Sequence, residues 1–390
     1  MATKQSTRRG MRWRQGLLVA GIFVAMVVLG FGVAFWGGGR SSPAALRPAP
    51  NFVLKDQRGR RTSLAQFRGQ AVALAFLDPE CTQICPLTSQ ILLQAIRRLG
   101  PAGAQVELLG INANPQATSV ADVAAYSRIH GMDALGPRWR FLTGSPAQLR
   151  RVWKAFGVYV ATEQGEDVHQ AAVLLIGERG DERDTYVTPM RYDSVPRQAA
   201  ILAAKIAQLL PGDPAMRPPP GPQYPPAWPP ARLETVAAIA PRAGGPDARV
   251  ALGTGHPHLV CFFADWQRLR TNLPAHLAAL DAYRAAARRH GWPLPVAIDE
   301  MPTEPSPVAA RRGLRQLAMR LRTPVVSDQT GRIADGYGVN DLPWYALTSS
   351  RGRVVWQHDG WLSARALVHQ AGAAWVRERR QLTRGAVASR

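Results

Sequence analysis

The sequence predicts an α/β protein in which two modules of alternating strand and helix follow a single membrane-spanning helix. Three observations lead there. Residues 16–36 form a run of 21 residues without one charge. The stretches 49–210 and 233–375 each alternate short apolar runs with helix-length segments, the pattern of strands joined by crossover helices. Between them, residues 211–230 contain ten prolines, a composition that favours an extended, semi-rigid spacer. A chain of 390 residues has room for two such cores, at roughly 100–200 residues each.

The apolar run comes first. As a helix it spans about 31 Å, against a hydrocarbon core of roughly 30 Å. Lys4, Arg8, Arg9, Arg12 and Arg14 precede it, which places residues 1–15 in the cytoplasm and everything after Gly37 outside. A cleaved signal peptide is the competing reading, with an apolar region of roughly 7–15 residues and an Ala-x-Ala-like exit. This run is longer and ends Val33-Ala34-Phe35-Trp36 before three glycines, so an uncleaved single-pass anchor in the cell membrane is expected, with both modules extracytoplasmic. Residues 37–48 read as a Gly/Ser/Pro-rich spacer.

Charge limits the partners. Lys plus Arg number 48 against 27 Asp plus Glu, a formal excess of +21. By segment this is +5 for 1–15, +2 for 16–47, +4 for 48–210, +1 for 211–232, +5 for 233–375 and +4 for 376–390, which together give the +21. Nearly half lies in the two termini, and no basic stripe is interleaved with aromatics, so nucleic-acid binding is not expected. Three cysteines exclude a disulfide-stapled miniprotein and a zinc ribbon of four thiolates.

In the first module, 71–77 (AVALAFL) reads as a buried strand, followed by a helix from near Pro86 and a second strand at 106–112. Helices near 120–129 and 146–156 precede a strand at 171–176, a Gly turn and a closing helix at 198–209. The second module repeats the plan, with strands at 258–264 and 293–299, helices to about His290 and around 308–321, later strands (PVVSD, YALTSS, GRVVWQH) and a last helix. Residues 376–390 read as a basic tail.

The chemistry lies between the first strand and its helix, in Asp78-Pro79-Glu80-Cys81-Thr82-Gln83-Ile84-Cys85-Pro86. Cysteines at i and i+4, one in the loop and one in the first helical turn, can turn both sulfurs to one side. The positive helix end favours thiolates, which ligate metal or attack disulfides. A structural disulfide is the plain alternative, though a bridge over so few residues adds little loop-closure stability.

Cys-x-x-x-Cys-Pro is not the spacing of a thioredoxin. On this motif the first module resembles the SCO/SenC family of copper-binding cytochrome oxidase assembly proteins. The resemblance covers about residues 50–210. It rests also on Asn51-Phe52-Val53-Leu54 with Asp56 and Gly59, on 64–69 (LAQFRG), Phe141-Leu142-Thr143-Gly144, Phe156-Gly157-Val158-Tyr159, and Asp167-Val168-His169 just before a strand. It implies a thioredoxin-like fold and copper held by Cys81, Cys85 and His169. Two thiolates suit Cu(I), and an added imidazole lets one site hold Cu(II) as well. The chain departs from the family pattern at Asn114-Pro115, where Asp-Pro is common, and at Asp78-Pro79 before the first cysteine. The other seven histidines, His256 and His258 among them, read as structural.

In the second module, 258–274 (HLVCFFADWQRLRTNLP) resembles the active-site region of redoxins, with Gln267 and Arg270 at the cysteine positions. Asp341-Leu342-Pro343 resembles the cis-proline loop of that fold. Both modules are therefore expected to be thioredoxin-like, and the second, without a thiol pair, is unable to exchange disulfides. Cys261 within a strand reads as a buried small hydrophobe. The resemblance implies a membrane-anchored copper chaperone serving the dinuclear copper site of cytochrome c oxidase subunit II, or the thiols of that subunit, without turnover of a small substrate. A thiol–disulfide oxidoreductase using Cys81 and Cys85 is the alternative, and a docking role for the second module is a third.

Overall fold

The chain enters its first lobe through a hairpin of β1 (Val53–Lys55) and β2 (Arg61–Ser63). It continues through β3 (Ala71–Leu77), α1 (Ile84–Leu99), β4 (Val106–Asn112), α2 (Val120–Ile129), β5 (Trp139–Leu142) and α3 (Pro146–Phe156). A second hairpin, β6 (Val160–Glu163) and β7 (Glu166–His169), precedes β8 (Ala172–Ile176), β9 (Glu182–Val187) and α4 (Val195–Ala207). The structure is a computed structural model that describes residues 47–163, 166–169, 171–211, 216–222, 234–237, 249–253 and 255–388. The expected anchor at 16–36 lies outside the described residues, among which no helix is long and apolar enough to cross a membrane.

The first sheet has the order β5-β4-β3-β8-β9, with β3, β4 and β5 parallel and β8 and β9 antiparallel. Every residue of β3 and β4 is buried. Such runs need cover on both faces, and both are covered: α1, α2 and α4 lie on one, α3 with Phe52 and Leu54 on the other. Local signals set the helix ends. Ser119 and Asp122 form a capping box at α2, Ser145 and Gln148 another at α3, and Gly157 takes φ 67° to close α3. Helix α1 begins two residues before Pro86, whose missing N–H falls within the first turn, where no intrahelical acceptor is needed.

The second lobe opens with a hairpin, β10 (Glu234–Ala237) and β11 (Arg249–Leu252), followed by β12 (His258–Phe263), α5 (Leu273–His290), β13 (Leu294–Glu300) and α6 (Pro307–Arg320). It ends with β14 (Val325–Asp328), α7 (Arg332–Gly336), β15 (Trp344–Thr348), β16 (Val354–Asp359) and α8 (Ala364–Ala388). Its order, β14-β13-β12-β15-β16, repeats that of the first lobe, direction for direction. The last helix runs on through 376–388, which the sequence reads as a tail. Arg, Glu, Gln and Ala there are good helix formers.

The two lobes are not beads on a spacer, since Pro48–Arg390 form one compact unit. Of the proline-rich stretch, the described residues 216–222 carry no helix or strand, and Arg197 donates from Nη2 to the carbonyls of Pro220 and Pro222, both at 2.8 Å. One hydrophobic cluster takes in Leu92, Ala203 and Ile206 of the first lobe together with Val260, Phe262, Ile298 and Trp344 of the second.

Candidate metal centre

The strand β3 ends at Leu77, and the loop that follows is built before any ligand is considered. Asp78 is buried, and its Oδ1 accepts from the Glu80 amide at 2.7 Å, while the Cys81 amide donates to the Asp78 carbonyl at 3.3 Å. These turns bring Cys81 back over the start of α1. Asn114, in the loop after β4, donates from Nδ2 to Asp78 Oδ1 at 2.9 Å and to Glu80 Oε2 at 3.4 Å. The two departures from the family pattern thus face each other. An aspartate at 114 would set a second carboxylate against Asp78, and the amide removes that repulsion and supplies a donor. Each departure is visible in the sequence, but not that they form a pair.

The two cysteines are brought together. Cys81 is half-buried, Cys85 is buried at 0% exposure, and both are free thiols joined by a hydrogen bond between their side chains. The helix start leads one to expect thiolates at both positions. At Cys85 burial outweighs it and pushes the thiol well above its usual value, followed by the hydrogen bond and charge of Cys81 and the charge of Asp78. A metal held at Cys85 would have to displace a proton.

Beneath the pair, Ser89 Oγ and the Tyr126 hydroxyl are 2.8 Å apart in a fully buried contact, and burial raises the Tyr126 hydroxyl well above its usual value. His130 is buried between Tyr126 and Trp266, with ring centroids 4.3 Å and 4.8 Å away. Burial, then the charge of Arg270, holds its imidazole well below the usual range.

His169 closes β7, paired in register with Val160 of β6. Its imidazole lies outside what the structure describes. Its place in the chain follows from the sheet: β8 runs antiparallel to β3 with Val173 opposite Ala75, so β8 starts at the end where β3 finishes. The end of β7 and the cysteine loop therefore emerge at one end of the sheet. Among the described residues, no group of three or more His, Cys, Asp or Glu stands together as a metal site. His258, by contrast, is held between the carbonyls of Leu294 and Ala251 at 3.1 and 3.0 Å, as a structural residue. Cys261 is fully buried in β12.

The second lobe touches the cysteine loop directly. Arg270 donates from Nη1 to the Glu80 carbonyl at 3.0 Å and from Nη2 to that of Pro79. Asp341 accepts from Gln83 Nε2 at 3.3 Å and from the side chain of Thr82, and burial pushes its carboxyl up to about 6. The peptide Leu342–Pro343 is cis, and Gln267 donates from Nε2 to the Leu342 carbonyl at 2.9 Å. Sequence alone marks Gln267 and Arg270 only as replacements for cysteines.

Comparison with known proteins places the first lobe. Residues 41–209 match the SCO1/SenC family model. The mitochondrial SCO2 homolog of Bos taurus is 31% identical over 199 residues, which cover 46% of this chain and 73% of that protein. Among solved structures, Arabidopsis thaliana ScoI with copper bound is similar at 24% identity and TM-score 0.35, over 41% of this chain and 98% of that one. BsSco, a member of the Sco family of cytochrome c oxidase assembly proteins with a disulfide switch, is similar at 22% identity and TM-score 0.32, over 42% and 96%. With its cysteine loop, its strand order and this match across the first lobe, the chain belongs to the SCO1/SenC family.

Proposed function

We propose that this protein is a membrane-anchored, extracytoplasmic copper carrier that binds copper through Cys81, Cys85 and His169 and delivers it during cytochrome c oxidase assembly, to the dinuclear site of subunit II. The observation that carries the reading is the pair of free, hydrogen-bonded cysteines at 81 and 85, within the stretch matched to the SCO1/SenC family. The donor set fits the cargo: two soft sulfurs suit Cu(I), and an imidazole extends the site to Cu(II). Both lobes are read as thioredoxin-like, with chemistry kept only in the first.

The test is an anaerobic copper titration of the full chain in detergent, beside Cys81→Ser, Cys85→Ser and His169→Ala variants. Loss of an outer-sphere partner costs roughly 10–100-fold in metal affinity, so each serine variant is expected to lose more than about 100-fold for Cu(I). His169→Ala should weaken Cu(II) more than Cu(I). A wild-type chain without tight Cu(I) binding overturns the reading, as does a His169 variant equal to wild type for both copper states.

Thiol–disulfide exchange is a second reading on the same pair, since Cys81 is half-exposed and Cys85 is buried behind it. Closing the pair forms one S–S bond and releases two protons and two electrons to a partner disulfide. Exchange needs no imidazole at 169, so the His169 variant separates the two readings.

A further inference from the structure

The loop after β3 and the loop after β12 hold equivalent places in the two lobes, one bearing the cysteines and the other Gln267 and Arg270. In the folded chain the second is applied to the first. Arg270 takes two consecutive carbonyls, Pro79 and Glu80, immediately before Cys81. Asp341, next to the cis peptide, takes the side chains of Thr82 and Gln83 immediately after it. Four of the five residues 79–83 are therefore gripped from the second lobe, and Cys81 is the one left out. Behind them, Trp266 of the same loop packs edge-on against His130, and its Nε1 donates to Thr303 at 3.2 Å.

The chemistry of each contact suits this task. Loop carbonyls away from regular structure need donors, and a guanidinium presents several N–H groups in a rigid fork. The carboxylate of Asp341 offers two acceptor oxygens to two neighbouring side chains. A loop fixed on both sides of a reactive residue presents it in one orientation, and lower ordering cost on binding follows.

We propose that the second lobe is the internal partner of the cysteine loop, with Arg270 and Asp341 as positioning residues that hold residues 79–83 and restrict access to Cys81. This goes beyond the copper reading and does not depend on it, because the loop is held whatever the thiols receive. Under the copper reading, the same grip slows loading and release.

The experiment uses the full chain in detergent, reduced and metal-free, and follows alkylation of Cys81 by iodoacetamide with peptide mapping of the modified cysteine. Arg270→Ala, Arg270→Gln and Asp341→Leu are each expected to speed Cys81 alkylation on the order of tenfold, the equivalent of about 1.4 kcal/mol. Asp341→Asn keeps an acceptor and should stay within about twofold of wild type, as a conservative rescue. Asp335→Asn weakens a different contact between the lobes, where Asp335 accepts the Tyr192 and Asp193 amides at 2.9 and 3.0 Å, and should also leave the rate within about twofold. Wild-type rates in both Arg270 variants overturn the proposal, and so does an equal acceleration by Asp335→Asn, which would mean that any loosening of the lobes exposes the loop. Since no copper is present, failure here is distinct from failure of the copper titration.

Discussion

In the first lobe the helix after β5, α3, has 11 residues and covers its sheet face with Leu149, Val152 and Trp153. In the second lobe the helix at the corresponding place, α7 after β14, has 5 residues. The two sheets share a strand order, yet only the first closes both faces with its own helices. The second closes one face with α5, α6 and α8. Its other face, with Val260, Phe262, Ile298 and Trp344, joins a cluster that includes residues of α1 and α4. The lesson is that a repeated fold need not be a repeated domain. With a helix six residues shorter at this place, the second lobe packs its open sheet face against α1 and α4 of the first, and its cysteine-free loop meets the cysteine loop.

The largest effect expected from this difference is on the isolated second lobe. Residues 233–390 expressed alone should show no cooperative thermal transition and no near-ultraviolet dichroism of fixed aromatics, because one sheet face keeps only the cover of the short α7 and of β11 and loses that of α1 and α4. A sharp, reversible melt of that fragment would show that the second lobe folds without the first. Next comes Trp266, which is 2% exposed between the lobes. Trp266→Ala should cost about 3–5 kcal/mol in chemical denaturation of the full chain, and the unfolding of Pro48–Arg390 should stay a single transition.

Inside the first lobe, the Asp78–Asn114 pair supports the cysteine loop from its own side. Asn114→Asp removes the donor to a buried carboxylate and adds a like charge, and should cost about 1–3 kcal/mol at neutral pH. Acidification should recover that loss, as one of the two carboxylates takes a proton.

The smallest effect lies inside the second lobe, at the end of β13. Glu300 is fully buried, and burial, followed by the charges of Asp328 and Asp299, pushes its carboxyl well above its ordinary value of 4.5. The sign follows from proton linkage. The folded state keeps a proton that the unfolded chain releases, so the penalty is absent below 4.5 and grows as pH rises towards the raised folded value. Glu300→Gln should therefore stabilise the chain at pH 8 by at least about 1 kcal/mol, the order of one pKa unit, with a smaller gain at pH 5. A gain that is larger at pH 5 contradicts this account.

What could be read from sequence follows the range of the interactions. The central strands are legible because β3 and β4 are continuous apolar runs, and the capping boxes of α2 and α3 lie within a few residues of the helices they start. The cysteine pair is legible because its two members lie four residues apart in sequence. The four-residue strand β5 and the hairpin β6–β7 are too short to show a period in the sequence. The Asp78–Asn114 pair is separated by 36 residues and the Arg270–Glu80 contact by 190. Neither leaves a periodic trace, so docking of the lobes had no local signal beyond the odd presence of Arg where a redoxin carries cysteine.

The proposed joint hold of Cys81, Cys85 and His169 on copper is tested by X-ray absorption at the copper K edge of the full chain loaded with one Cu(I). Two sulfurs and one nitrogen are expected around the metal, with one sulfur lost in Cys81→Ser and the nitrogen lost in His169→Ala. A shell of oxygen and nitrogen alone, or one unchanged in both variants, contradicts it.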